Sequence, residues 1–311
     1  MGLFGGESVT DKIGNWIENF LQELLGGAVE KNLLTAAENI EGVVTIVEDN
    51  VTQTPDTWNN TLYTALQNIS NVAIMPIAIG IMSIILCYEL ITACLDKNSF
   101  KEFDTSIFFR FIVKAWVAIY FMNNVFTIFT ALLKVGANVA QTAINQLFNE
   151  SLELRQQLDQ IFHPVGPGAL FSWYNDYSVG DLLCSLLLSL IVYIVSLAII
   201  VIVMIVTAGR MIEILIHFCA APLPFATMTN KEWSHVGFSF IKTILALALQ
   251  AFFIVVILAI FVILFSTQVI DALQDLNSLS GALVKWICYG VVCCFMLLKS
   301  GSIAKSICGT H

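Results

Sequence analysis

Five ionisable residues, Glu89, Arg110, Lys114, Arg210 and Glu213, sit within or at the edges of stretches otherwise apolar enough to cross a bilayer. A charge at hydrocarbon depth is costly unless paired or wet, so such residues mark either ion and substrate pathways or structural pairing. Arg210 and Glu213 are three apart on one helical face, a spacing that suits an ion pair. Arg110 and Lys114 share a face at i, i+4, and Glu89 lies 17 residues into the first apolar run. Two chemistries stay open for them: bracing or snorkelling near the inner headgroups, and conduction or gating. Beyond Arg210 comes Ala221-Pro222-Leu223-Pro224. Each proline lacks an amide donor, and Leu223 is pushed toward extended geometry by the proline after it. The expectation is a bent, membrane-embedded element over 209–226 that ends in a rigid turn and has its backbone satisfied by protein or water.

Catalytic constellations are missing from the sequence. There is no His-Glu-x-x-His, no Gly-x-Ser-x-Gly and no Walker A run, and His163, His217, His235 and His311 stand far apart. The eight cysteines fall almost entirely in or beside apolar runs and form no Cys-x-x-Cys, so they read as small buried hydrophobes. The chain is therefore expected to be no enzyme and to carry no cofactor, metal or disulfide framework.

The elements that must position these residues are membrane helices. The chain is 58% hydrophobic and 12% charged, with 22 Phe and a mean hydropathy of +0.83. A soluble domain with that composition would expose large apolar patches. The net charge of −9 speaks against a nucleic-acid-binding module, whose footprint is basic. Because a bilayer core takes roughly 20 helical residues, five spans are expected, over 72–95, 107–133, 182–208, 240–265 and 282–298. The fold class is all-α and polytopic, since lipid leaves backbone groups no other partner. Met1 to Gly6 lacks a basic start and a following apolar core, so no cleavable leader is expected. Lys97, Lys101, Arg110, Lys114, Arg210, Lys231, Lys242, Lys299 and Lys305 gather on one side, which places the N-terminus outside and the C-terminus in the cytoplasm.

Residues 1–71 hold ten acids and two lysines, and form the expected extracytoplasmic or interfacial segment. Ile13, Trp16, Ile17, Phe20, Leu21, Leu24 and Leu25 make one apolar helical stripe. It suits packing on the chain's own helices, the membrane interface or a partner subunit, although an acidic polar face weakens the interfacial option. Gly26-Gly27 is expected to end this helix. A second should run from Ala28 to about Val47 on Leu33, Leu34, Ala36, Ile40, Val43 and Val47, until Thr54-Pro55-Asp56 breaks it. The outer loop 134–181 should carry the second span onward along Val135, Val139, Ala143, Ile144, Leu147 and Leu154. His163 to Gly168 should stop that helix, and Leu170 to Tyr174 should form an aromatic belt at the headgroups.

Gly209-Arg210-Met211-Ile212-Glu213, then Ala221-Pro222-Leu223-Pro224-Phe225-Ala226, then Phe240-Ile241-Lys242 resemble the TrbL-type polytopic subunit of conjugative type IV secretion systems, in the version carried by Gram-positive conjugative elements. The resemblance implies a non-enzymatic channel or platform subunit in the bacterial cell membrane. It further implies a homo-oligomeric ring, partners that include cytoplasmic ATPases, and a cargo of relaxase-bound single-stranded DNA. The turn at Arg210, Glu213, Pro222 and Pro224 is then a structural signature of the channel core. The rival reading is a small-solute secondary transporter, whose broken helices build a midplane site.

Overall fold

A computed structural model of the 311-residue chain describes residues 9–95, 105–148, 153–163, 173–230, 232–274 and 279–310. These residues are all-α, with no strand among them. The helices are α1 (Val9–Val51), α2 (Pro55–Trp58), α3 (Asn60–Ile69), α4 (Met75–Leu95), α5 (Thr105–Leu147), α6 (Leu154–Phe162), α7 (Val179–Ala220), α8 (Pro222–Thr227), α9 (Ser234–Leu264), α10 (Asp271–Gln274) and α11 (Leu279–Ile307). Among the described residues, five stretches are long and apolar enough to cross a membrane: Asn60–Thr92, Phe111–Leu147, Val179–Ala220, Ser234–Leu273 and Leu279–Ile307. The helices outrun the expected spans. At about 1.5 Å per residue α7 extends for roughly 63 Å, about twice a hydrocarbon core.

Two irregular turns have local causes. A π-helical stretch, Ser70–Ile74, joins α3 to α4 just ahead of Pro76. The proline ring would crowd the carbonyl four residues back, and a widened turn gives that carbonyl room. At the end of α11, Gly309 takes a positive φ of 66° and closes the helix, its N–H donating to Ser306 O.

The chain divides into two compact units, to each of which the long helices contribute a part. The first comprises residues 1–46, 144–204 and 256–298. In it α1 presents Val29, Leu33, Ala36, Ile40 and Val43 as a buried face, at alternating steps of four and three. The buried face of α7 repeats likewise, through Leu182, Ser185, Ser189, Val192, Ser196, Ile199 and Val203. Asn32 donates to Ser189 Oγ at 3.1 Å and Asn39 to Ser196 Oγ at 3.0 Å. Both pairs advance by seven residues in the same direction, so α1 and α7 lie parallel and in register. The serines are small enough to let the helices approach.

Gly26-Gly27 does not end a helix, as the sequence suggests, because α1 runs through both residues. A Cβ on Gly26 would lie 2.5 Å from the Tyr174 ring, so the glycine makes room for an aromatic side chain. The loss of helix propensity, about 1 kcal/mol for glycine, is offset by that contact. The Trp173–Tyr174 pair is likewise no headgroup belt. Trp173 is buried, its ring 5.2 Å from Phe162 and its Nε1 donating to Glu30 at 3.3 Å. Leu170 to Ser172, and Pro164 to Gly168 of the expected stop signal, lie outside the described residues. The connection over 134–181 also departs from a simple continuation: α5 ends at Leu147, and α6 is a separate helix seated by Leu154, Leu158 and Phe162.

The second unit comprises residues 47–143, 205–255 and 299–311. On its part of α5 the buried line is Met122, Phe126, Phe129, Leu133, Ala137 and Ala140, whereas Val135 and Val139 are exposed. Gly136 sets this register, because a Cβ there would meet Ala248 O of α9 at 2.5 Å. The α5–α9 crossing is thus backbone against backbone.

Candidate functional site

The element that carries the candidate site is the turn from α7 through α8 into α9. Pro222 occupies the first position of α8 and Pro224 the third, within the first turn of a helix, where amide donors have no intrahelical partner. Helix α7 runs unbroken through Arg210 and Glu213 to Ala220, and Leu223 is helical. The expected bend over 209–226 is therefore confined to the junction at Ala221. The prolines start α8 directly after α7 ends at Ala220, and Ala221 between the two helices keeps right-handed helical torsions of −55° and −34°.

Aromatic rings seat this turn. Phe129 lies 5.5 Å from Phe218, 5.8 Å from Phe225 and 5.8 Å from Phe240, so α5 meets all three elements of the turn. Phe126 adds an edge-to-face contact with Phe218. The legs close on each other at Gly237, where a Cβ would collide with Met228 and lie 2.9 Å from Pro224 O. Sequence reading singled out the prolines and missed these rings. The available signal was Phe126 and Phe129 on one face of α5, with Phe218 and Phe225 flanking the proline pair.

Arg210 is 2% exposed. Its Nε donates to Leu247 O at 3.0 Å and its Nη1 to Val51 O at 3.4 Å. Val51 is the last residue of α1, whose terminal carbonyls lack intrahelical donors and carry the negative end of the helix dipole. The guanidinium thus caps the end of α1 and ties it to α9. The expected Arg210–Glu213 pair does not form. Arg210 points inward beside Met211 and Ile214, while Glu213 lies at the rim and accepts from Lys305 Nζ of α11 at 2.7 Å. That pair is more than one-third exposed on both sides (39% and 36%). Glu213→Gln is therefore expected to cost less than about 1 kcal/mol, measured as the coupling energy in a double-mutant cycle with Lys305→Met in detergent.

Glu89 and Lys114 come together as an ion pair between α4 and α5. The second Glu89 oxygen is buried and has no hydrogen-bond partner among the described residues. The side chain of Arg110 lies outside the described residues. A polar contact the sequence reading did not single out joins α9 to α11, with Gln250 Nε2 donating to Ser300 Oγ at 3.3 Å.

The N-terminal stripe stays uncovered by the described helices. Trp16 is 68% and Phe20 53% exposed, with Ile13, Ile17 and Leu24 also exposed and Leu21 half-buried. Trp16 and Phe20 stack at 5.9 Å, so a continuous apolar surface is presented.

The arrangement combines a capped helix end, an aromatic seat and three inter-helix polar ties, Glu213–Lys305, Glu89–Lys114 and Gln250–Ser300. The chain matches no curated protein and no solved structure. Residues 40–222 match the model of the family described as TrbL/VirB6 plasmid conjugal transfer like protein. The matched region includes both Val51 and Arg210 and ends at Pro222, leaving Pro224 to Lys242 of the signature outside it. Since the match covers more than half of the 311 residues, the chain belongs to the TrbL/VirB6 plasmid conjugal transfer-like family.

Proposed function

We propose that this multi-pass membrane protein of a conjugal transfer system is a non-enzymatic channel or platform subunit. Copies assemble into a ring in the bacterial cell membrane, with the N-terminus outside and the C-terminus in the cytoplasm. Cytoplasmic ATPases and other secretion subunits dock on the ring, and relaxase-bound single-stranded DNA crosses the membrane through it. Membership of the conjugal transfer family carries this reading. The uncovered stripe of Ile13, Trp16, Ile17, Phe20 and Leu24 supports the assembly, since an apolar surface of that kind marks a protein or membrane contact.

Trp16→Asp or Phe20→Asp is expected to reduce oligomer size in mild detergent while leaving membrane insertion intact, as read by light scattering after gel filtration. Unchanged size in both variants would remove the support of the stripe. Single-particle imaging separates the rival: a ring about a central axis supports the secretion subunit, and a monomer around a midplane pocket supports a small-solute transporter.

A further inference from the structure

We infer that one face of α5, running from Asn123 through Thr127, Ala131 and Lys134 to Asn138, borders a water-filled path that copies of this chain enclose within the bilayer. The inference rests on the ring assembly proposed above and adds which surface of the ring is wet. It concerns the second unit alone.

Depth follows from the Glu89–Lys114 ion pair, which stands near the inner ends of the first two spans. Asn123 lies nine residues beyond Lys114 along α5, and Ile79 lies ten residues before Glu89 along α4. Both are therefore about 14 Å from the pair, close to the middle of a hydrocarbon core roughly 30 Å thick. The two helices present different surfaces there. On α4 the outward residues are Ile77, Ile79 and Ile84, all exposed and suited to lipid tails. On α5 an amide and a hydroxyl face outward at the same depth.

Asn123, Thr127, Ala131, Lys134 and Asn138 are exposed and follow one another at steps of four, four, three and four. They form one line on the side of α5 away from Met122, Phe126 and Phe129, with Val135 and Val139 along one border. Other polar groups of this helix are satisfied within the unit. Asn124 donates to Tyr120 O and Thr142 to Asn138 O, each at 2.9 Å, and the Thr130 hydroxyl meets that of Tyr63 at 3.3 Å. The Asn123 amide and the Thr127 hydroxyl have no hydrogen-bond partner among the described residues. Such groups are costly against hydrocarbon and gain their bonds from water. Past the expected end of the span at 133 the line continues as Lys134 and Asn138, so it opens without a break to the solution on that side.

The undescribed positions of this unit lie away from the line. A chain joining Leu95 to Thr105 that leaves and returns extends at most about 18 Å, whereas Thr105 is about 27 Å from Asn123 along α5. Asn230 and Glu232, on either side of Lys231, border Ile84 and Tyr88 of α4. Thr310, next to His311, is held by its N–H to Lys305 O at the end of α11.

Copies set about an axis with α5 innermost bring these lines together as successive layers of amide, hydroxyl and ammonium groups, the kind of lining that polar pores use. The isoleucines of α4 then keep their contact with lipid. The line holds one lysine and no acid, unlike the acid-rich first 71 residues, so it does not repel a polyanion.

The test is single-cysteine labelling of the full-length chain in native membranes with a membrane-impermeant maleimide, the parent chain setting the background of its own cysteines. Asn123→Cys and Thr127→Cys are expected to label above the parent. Ile77→Cys and Ile79→Cys are expected to stay at the parent's level until detergent is added, which then exposes all four. Labelling at all four positions before detergent would put this part of the unit outside the bilayer and overturn the inference; labelling at none would make the α5 face dry and overturn it equally. Chemical cross-linking of the same membranes reads the assembly separately. Oligomers with positions 123 and 127 unlabelled would leave the ring standing without this lining, whereas labelling without oligomers would overturn the ring and the enclosed path together.

Discussion

Arg210→Ala is expected to lower the stability of the folded chain by about 3 kcal/mol and to release the end of α1. The guanidinium makes two hydrogen bonds to carbonyls, and bonds to a charged group are worth about 1.5–3 kcal/mol each. Part of that is returned because the alanine chain no longer keeps a charge out of water. The Val51 carbonyl then sits at a buried helix end without its donor. Arg210→Met separates the effects: it fills the space without charge, and replacing a buried charge by an apolar group of similar size is often neutral. The thermal midpoint in detergent should fall far more for alanine than for methionine. Hydrogen exchange over residues 44–51 should accelerate in both, since neither restores the cap. Exchange unchanged in both variants would mean that Arg210 does not hold α1.

Gly136→Leu is expected to be at least as damaging, for a steric reason. Even a Cβ at this position would lie 2.5 Å from Ala248 O, a backbone atom of α9 that cannot rotate aside. Overpacking a filled core costs about 1–3 kcal/mol when neighbours can shift, and a leucine against a helix backbone should exceed that range and push α5 off α9. Glycine substitution as such is not the cause. Gly80 and Gly209 are also helical, with nothing within 4 Å of an added Cβ, so Gly80→Ala and Gly209→Ala should be neutral or gain up to about 1 kcal/mol. Gel-filtration monodispersity and thermal midpoints of the three variants check this. Equal behaviour of all three would refute the close crossing.

The spans were legible because lipid imposes one rule on backbone and side chain together: apolar, helical and about 20 residues long. The buried face of α1 was legible in the same way, from the spacing of Leu33, Ala36, Ile40, Val43 and Val47. Breaks were read less well. Gly26-Gly27 and Pro222-Leu223-Pro224 carry strong local signals, yet the first lies inside a helix and the second begins one. Glycine and proline report what the backbone is permitted to do. Which option it takes depends on Tyr174 over Gly26 and on the phenylalanines around Pro222, contacts made by residues far away in the chain.

The partners of the charged residues follow the same logic. Helical spacing offers Arg210 a carboxylate three residues on, but burial turns the arginine inward and leaves Glu213 at the rim. Val51 O, 159 residues away, and Leu247 O, 37 away, become its acceptors. Sequence thus determined the solvent each helix requires and the presence of a proline-marked turn beside an arginine and a glutamate, because these follow from composition and period along one segment. Tertiary structure alone decided that α1 lies parallel to α7, that the arginine caps a helix end and that Glu213 pairs with Lys305. Each of those depends on which distant backbone or side-chain group fills the space beside a residue, and no local pattern encodes that.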